Sequence, residues 1–172
     1  MKNLSDYYGQ TLIFTQPSFW KRYYVLKCND EIIATVNSVK MFGLKLEIEM
    51  FKNKWTLYRP SVWRSEVAIK ESVNTLPFAK YRKEKFKLHR FVELPKGQKL
   101  KIAFKFIKKL FEIYNSSDNL LVRFKNKVSF KETIEITIEK KSELIDKYPW
   151  VIILACYLSM ERKRAACAAA AG

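Results

Sequence analysis

The sequence predicts a mainly β protein, a closed antiparallel β-barrel of about twelve short strands around a buried C-terminal hydrophobic helix. Three observations lead to this prediction. Short runs of alternating apolar and polar residues recur along the chain between turn residues, a pattern typical of antiparallel sheets. One such stretch is repeated, without a gap, 88 residues later. A single apolar segment near the C-terminus has the character of a buried helix.

The first half of the chain contains a series of short strand candidates. Residues 11–15 (TLIFT) form the first strand, which Pro17 stops. Residues 22–36 form a predicted hairpin, with Asn29 and Asp30 as its turn. In 44–51 (LKLEIEMF) apolar and charged residues alternate strictly, which predicts a half-buried strand. The stretches WTLY and SEVAIKES are two further short strand candidates.

The stretch from Lys80 to Leu94 also alternates, and its two faces differ in charge. Arg90 interrupts the apolar face, and Pro95 and Gly97 mark the next break. The apolar face consists of Phe86, Leu88, Val92 and Leu94, and the basic face of Lys83, Lys85, Lys87 and His89. A turn about Pro95–Gly97 would place this stretch beside the strand that begins at Lys99.

Residues 99–114 fit both a helical stripe and an alternating strand. The repeat favours the strand. Residues 22–50 align without a gap on 110–138, with Asp30 on Asp118 and Glu47 on Glu135. If the first copy is a hairpin around Asp30, the second is a hairpin around Asp118, and the residues before it are a strand.

The apolar segment Tyr148–Arg164 is predicted to be a helix, from about residue 149 to 164, that fills the barrel. It is far shorter than the ~20 apolar residues of a membrane span, and its basic C-terminal end is expected to emerge into water. A barrel of about twelve strands is too wide for its own side chains to fill. Residues 1–164 are therefore predicted to form a single domain, and 165–172 a disordered tail or an expression remnant.

The composition is globular and strongly basic. The chain has 172 residues, 48% of them hydrophobic, and its formal net charge is +16. Such a charge favours anionic partners, namely nucleic acid, acidic lipid headgroups or an acidic protein. The alternative is a solvated, lysine-rich surface that binds nothing specific.

The cysteines indicate a reducing compartment. Cys28, Cys156 and Cys167 are far apart, odd in number and without a C-x-x-C spacing, so they predict neither a zinc site nor a redox pair. No signal peptide is recognisable at the N-terminus. We expect a cytoplasmic protein without a transmembrane span. Peripheral attachment to the inner membrane face is compatible with that expectation.

No catalytic pattern is recognisable in the sequence. His89 is the single histidine, and it falls in a lysine-rich strand segment. Patterns for a nucleophile elbow, a zinc protease, a phosphate loop or an EF-hand are absent. We therefore expect a protein that is not an enzyme, with no catalytic residue, no metal and no cofactor.

A basic patch is the best candidate site. If the strands on either side of Pro95–Gly97 pair, their lysines share one outward face that attracts phosphate groups. The alternating aromatic residues there, such as Phe86, Phe104 and Phe106, would face inward, where they could not stack on bases. The predicted anion-binding patch consists of Lys83, Lys85, Lys87, Lys99, Lys101 and Lys105.

Trp20, Trp55 and Trp63 lie near basic residues, which suits either a membrane interface or the barrel core. Core positions are the preferred interpretation.

These features together resemble a known architecture. The sequence resembles the tubby C-terminal-like superfamily in four features. They are a basic pair after Trp20, a hairpin with an acidic turn, a duplicated β unit and an apolar terminal helix that begins at Pro149-Trp150. The LURP-one-related and phospholipid-scramblase-like branches of that superfamily are included, and the resemblance covers residues 11–164. It implies a closed barrel of about twelve strands around a C-terminal helix, in a minimal bacterial form. The phosphoinositide-binding lysine and arginine of the tubby proteins have no counterpart in this sequence.

The function expected from the sequence is a non-enzymatic binding module whose basic surface recognises anionic lipid headgroups or a membrane surface. The alternative is an adaptor that binds nucleic acid or an acidic protein. A carrier with an apolar ligand in the barrel is a third class, which a lumen filled by the helix would exclude.

Overall fold

The computed structural model describes residues 2–18, 23–39, 44–61, 66–82, 89–105, 110–127 and 132–170. These residues form twelve strands and two α-helices, α1 (Glu143–Lys147) and α2 (Trp150–Ala170), with 3₁₀ turns at Leu4–Tyr7 and Pro95–Gly97. The strands are β1 Thr11–Thr15, β2 Tyr23–Cys28, β3 Glu31–Ser38, β4 Lys45–Met50, β5 Asn53–Tyr58, β6 Glu66–Glu71, β7 Ala79–Arg82, β8 His89–Glu93, β9 Lys99–Lys105, β10 Leu110–Tyr114, β11 Leu120–Asn126 and β12 Thr133–Ile138.

The twelve strands close into an antiparallel barrel, as the sequence predicts. Each strand pairs with its neighbours in the chain, and β1 pairs with β12 to complete the ring. In that closing pair Leu12 lies opposite Ile136 and Phe14 opposite Ile134, and all four side chains are buried. Closure removes the free sheet edge that would otherwise invite pairing with another chain.

The two ends of the barrel differ. Because the strands alternate in direction, every odd-numbered strand finishes at the same end, which we call the mouth. The opposite end, the base, carries the 3₁₀ turn Leu4–Tyr7 and α1. There Ser5 donates from its backbone N–H to Asp146 Oδ1 (2.8 Å) and from its hydroxyl to Oδ2 (2.6 Å).

Helix α2 occupies the interior of the barrel. Seven consecutive residues, Trp150 to Cys156, expose none of their surface. Seven residues cover about two helical turns, so this part of the helix is enclosed on every side. The helix begins at the base, where the Trp150 ring meets the Phe78 ring at a centroid distance of 5.9 Å. The predicted buried C-terminal helix is thus confirmed.

The helix extends beyond its predicted end. The sequence predicts a helix to about Arg164 and a disordered tail from residue 165, whereas α2 continues to Ala170. Residues 165–170 are exposed and consist of alanines and Cys167. Alanine has the highest helix propensity of any residue, which accounts for a helix that continues where packing contributes nothing.

The repeat predicted from the sequence corresponds to three matching strands in each half. Strand β12 begins and ends 88 residues after β4, and β10 and β11 lie within a residue or two of the positions that β2 and β3 predict. The two hairpin turns have positive φ angles at Asn29 (52°) and Asp118 (56°). Asparagine and aspartate tolerate that conformation better than other non-glycine residues. The ambiguous stretch 99–114 therefore forms strands, β9 and β10.

The stretch 80–94 differs from its prediction. It contains two strands that pair with each other, β7 and β8, where the alternation suggested one run. Alternation alone does not locate a reversal, because both arms of a hairpin can keep the same period. The predicted turn about Pro95–Gly97 is confirmed, since Leu94 N–H donates to Gln98 O across it (2.9 Å) and β8 pairs with β9. Trp55 is buried as predicted, while Trp20 and Trp63 lie outside the described residues.

Candidate anion-binding site at the barrel mouth

An open cavity of about 610 Å³ lies at the mouth, between the later turns of α2 and the barrel wall from β5 to β10. Its deeper wall is apolar and includes Ile102 and Leu158. Its charged lining consists of four arginines and one glutamate among the described residues: Arg59, Arg90, Arg162, Arg164 and Glu161. The cavity therefore combines an apolar wall with an excess of positive charge.

Arg90 projects toward the barrel interior. On β8 it alternates with the exposed Phe91, and it shares its face with Val92, which is fully buried. Its Nη1 donates to the hydroxyl of Tyr81 (2.7 Å), a residue only 2% exposed. Among the described residues no carboxylate lies within ion-pair distance of Arg90. This arginine is the residue that interrupts the apolar face of the strand in the sequence.

Burial raises the pKa of Tyr81 above its ordinary value, although the neighbouring Arg90 opposes the shift. The phenol therefore stays protonated at neutral pH. Its oxygen accepts from Arg90, and its own hydrogen has no acceptor among the described side chains. Tyr81 and Arg90 together present hydrogen-bond donors that lack an anionic partner.

A second set of contacts ties the wall to the helix. Arg59, one residue after β5, places Nη2 2.6 Å from Glu161 Oε1 on α2. The Tyr157 hydroxyl donates to the same oxygen (2.5 Å). Burial and this bond to Glu161 raise the pKa of Tyr157 well above its ordinary value. Arg59 keeps a buried Nε with no hydrogen-bond partner, so Glu161 satisfies only part of the guanidinium.

The last two arginines extend from the exposed turns of α2. The guanidinium carbon of Arg162 lies 3.6 Å from the centroid of the Phe104 ring. Partial burial, and then the charge of Arg90, lower the pKa of Arg162. Arg164 pairs with both carboxylate oxygens of Glu132 (3.0 and 2.9 Å). Arg164 thus has a bidentate carboxylate partner within the chain.

The arrangement can bind an anion. Guanidinium groups present forked N–H donors that match phosphate and carboxylate oxygens. A charge in a partly desolvated cavity without a counter-charge is costly, so an anion that supplied one would be favoured. Glu161 pairs with Arg59 and Glu132 with Arg164, whereas Arg90 has no carboxylate within ion-pair distance among the described residues.

The structure places the predicted lysine patch elsewhere. Lys101 lies on the outer face of β9, where it forms an ion pair with Asp118 and lies 4.9 Å above the Tyr114 ring. Lys105 approaches Glu112 (4.0 Å). Lys99 lies opposite Glu93 in the β8–β9 register. The described lysines thus have acidic side chains close by or opposite them in register, and anion binding by this patch stays a prediction.

Part of that patch lies outside the described residues, namely Lys83, Lys85 and Lys87. Phe86 and Phe106 lie outside them too, and nothing is described of the His89 side chain. Phe104 lines the mouth cavity, as expected for an inward-facing residue of β9.

Sequence reasoning missed most of the mouth residues. Arg90 interrupts the apolar face of its strand, and this was a usable signal, because a charged residue on a buried face needs a specific reason. The charged end of α2 was predicted only to emerge into water. Arg59 and Tyr81 carried no recognisable signal, since Arg59 meets Glu161 only in the folded barrel and Tyr81 meets Arg90 only through the pairing of β7 with β8.

The fold and the mouth define a closed twelve-stranded barrel with an internal C-terminal helix and a basic opening. A crystal structure of a protein from Arabidopsis thaliana has a similar fold, with a TM-score of 0.62 over 92% of this chain and 96% of that chain. The two sequences are 14% identical, so the likeness concerns the fold alone. No protein-family model and no curated protein matches the chain. Among the described residues no helix is long and apolar enough to cross a membrane.

Proposed function

We propose that this barrel is a non-enzymatic binding module whose basic surface recognises anionic lipid headgroups at a membrane surface. The observation that supports this most is the mouth, where four arginines and one glutamate line an open cavity. Around it the chain has a formal net charge of +16. Each basic residue near an acidic bilayer contributes about 1 kcal/mol of attraction.

In this proposal the protein is cytoplasmic and attaches peripherally to the inner membrane face, without a cofactor. The long-range charge brings the protein to an acidic surface, and the mouth then contacts individual headgroups. The predicted lysine patch of Lys83 to Lys105 adds to the long-range attraction. The long-range attraction is screened by salt, whereas the local contact between the mouth and a headgroup is screened less.

The alternative function is an adaptor for nucleic acid or an acidic protein, which the same charge would attract. The placement of the aromatic residues favours the lipid. Phe104 packs against Phe111 at a centroid distance of 5.1 Å and lines the cavity beside the helix. A single-strand binder needs aromatic rings on an open platform along a groove.

We also propose that the chain is a minimal bacterial member of the tubby C-terminal-like superfamily, which includes the LURP-one-related and phospholipid-scramblase-like branches. The twelve-stranded barrel around a C-terminal helix supports this proposal. The phosphoinositide contacts of the tubby proteins are not part of it, because this sequence lacks a matching lysine and arginine.

Co-sedimentation with vesicles tests the proposed function. At physiological salt we expect the protein to be retained on vesicles that contain acidic lipid and not on neutral vesicles. Retention should persist when duplex DNA is added as a competitor.

Loss of retention on adding DNA would instead support the nucleic-acid alternative. Absence of retention on either vesicle would remove the membrane proposal. A variant in which Lys83, Lys85 and Lys87 are all replaced by glutamate tests the patch separately, since unchanged retention would exclude it.

A further inference from the structure

We propose that the mouth cavity is a specific site for the phosphate group of an amphiphilic phosphate monoester, held by Arg90 and Tyr81 above an apolar wall. This inference rests on the proposed function and names its ligand chemistry and its residues. It differs from attraction by surface charge, because it assigns binding to particular donors inside the barrel rim.

Arg90 provides the first argument. A strand residue that faces the barrel interior is normally apolar, and Val92 and Leu94 on the same face are buried. The guanidinium has one described partner, a neutral phenol, so its charge is not balanced by a carboxylate. A phosphate oxygen within the cavity would supply that balance and accept the remaining N–H groups.

Tyr81 provides the second argument for this site. Its hydroxyl already accepts from Arg90, and this fixes the oxygen and leaves its hydrogen to donate. The residue is 2% exposed, so its position is set by packing and not by solvent. A preorganised pair of hydrogen-bond donors binds one small anion at a defined position, unlike the diffuse attraction of a charged surface for many anions.

The neighbouring arginines provide the third. Arg162 lines the same cavity as Arg90, where the charge of Arg90 lowers the pKa of Arg162, and a bound dianion would relieve this repulsion. Arg59 adds a third positive group, partly offset by Glu161. A monoester, with up to two negative charges, matches this excess better than a singly charged diester or carboxylate.

The apolar wall argues for an amphiphile. Ile102, Phe111 and Leu158 line the same cavity as the arginines. Its volume of about 610 Å³ falls within the range of roughly 300–1,000 Å³ typical of small-molecule sites. A phosphate with a glycerol unit and the first methylene groups of an acyl chain would contact both kinds of wall.

Titration calorimetry with short-chain lipids below their critical micelle concentration tests this site. The probes are dihexanoyl phosphatidic acid, dihexanoyl phosphatidylcholine, glycerol 3-phosphate and inorganic phosphate. We expect the phosphatidic acid to bind, the phosphatidylcholine not to bind, and the two water-soluble phosphates to bind more weakly. Equal affinity for glycerol 3-phosphate would assign the site to free phosphate esters and overturn the role of the apolar wall.

Two substitutions locate the binding. Arg90→Gln should weaken the binding of phosphatidic acid about tenfold or more, the usual effect of losing a hydrogen bond to a charged group. Tyr81→Phe should weaken it roughly two- to tenfold with the packing retained. Arg82→Gln is the matched control, because Arg82 is exposed on the outer face of β7 and pairs there with Glu66.

The outcomes separate this inference from the proposed function. Equal losses in Arg90→Gln and Arg82→Gln would overturn the mouth site and leave surface attraction to membranes intact. Binding of phosphatidic acid without vesicle retention would support the cavity and overturn the membrane role. Near-ultraviolet circular dichroism and thermal unfolding establish that each variant is folded. If Arg90→Gln does not fold, Tyr81→Phe decides, and unchanged affinity in that variant overturns the proposal.

Discussion

Arg90 illustrates what single residues reveal in a barrel sequence. Its charge falls on a face that is otherwise apolar, and the structure places it beside the buried Tyr81 hydroxyl. The sequence identifies the exception, but it does not identify the partner. Tyr81 and Arg90 lie on different strands, and only the pairing of β7 with β8 brings them together.

Tyrosines near carboxylates make stability depend on alkaline pH. Burial and the hydrogen bond to Glu112 raise the pKa of Tyr114 from 10.0 to about 12. Burial and Glu31 raise that of Tyr7 to about 12 as well. A raised folded-state pKa means that the unfolded chain loses its protons first, so folding is favoured fully below pH 10 and progressively less up to about pH 12.

We therefore predict that the free energy of unfolding declines between about pH 10 and pH 12, measured by urea denaturation at a series of pH values. Tyr114→Phe should reduce the steepness of that decline. Tyr8→Phe is the control, because Tyr8 is 51% exposed. A decline of the same slope in Tyr114→Phe and in the unmodified protein would show that Tyr114 does not contribute.

At the scale of elements, the strands were predicted from alternation and turn chemistry. The strand pattern of 44–51 and the turn at Asn29–Asp30 were sufficient to place β2, β3 and β4, and the repeat then placed β10 to β12. The stretch 80–94 was harder, since two paired strands can carry one continuous alternation. The end of α2 was misplaced because an alanine run without periodicity still forms a helix.

Helix α2 is predicted to be the main packing element of the core. Leu154→Ala should lower the free energy of unfolding by about 2–5 kcal/mol. Leu154 is fully buried, and its truncation leaves a cavity that the side chains of the closed barrel cannot move in to fill. Urea denaturation measures this change.

Cys167→Ser on the exposed end of the same helix is the matched control and should change stability by no more than about 0.5 kcal/mol. A loss in Leu154→Ala as small as that of the control would contradict the enclosure of the helix by the barrel.

At the scale of the whole molecule, the sequence predicts a basic protein, but net charge alone does not locate a binding site. The predicted patch groups lysines that are close in the chain, among them Lys101 and Lys105, whereas the structure places these two beside Asp118 and Glu112. The mouth instead collects arginines that are distant in sequence. Arg59 and Arg162 become neighbours of one cavity only because the barrel closes around α2.

The arginine-lined cavity opens at one end of the barrel only, the mouth. The base is closed by other contacts, among them the hydrogen bonds of Ser5 to Asp146 and the ion pair of Lys2 with Glu31. A protein that binds a membrane through its mouth would therefore stand with the axis of α2 toward the surface. In that orientation the mouth should lie closer to the bilayer than the base.

The most direct measurement is a two-dimensional ¹H–¹⁵N NMR titration of the whole protein with dihexanoyl phosphatidic acid. We predict that the largest amide shifts occur at the mouth, at Tyr81, Arg90 and the turn of α2 that contains Glu161. Amides at the base, such as Ile145, should not move. Shifts confined to the outer face of β9 around Lys99 and Lys101, or spread evenly over the surface, would contradict a ligand site within the barrel mouth.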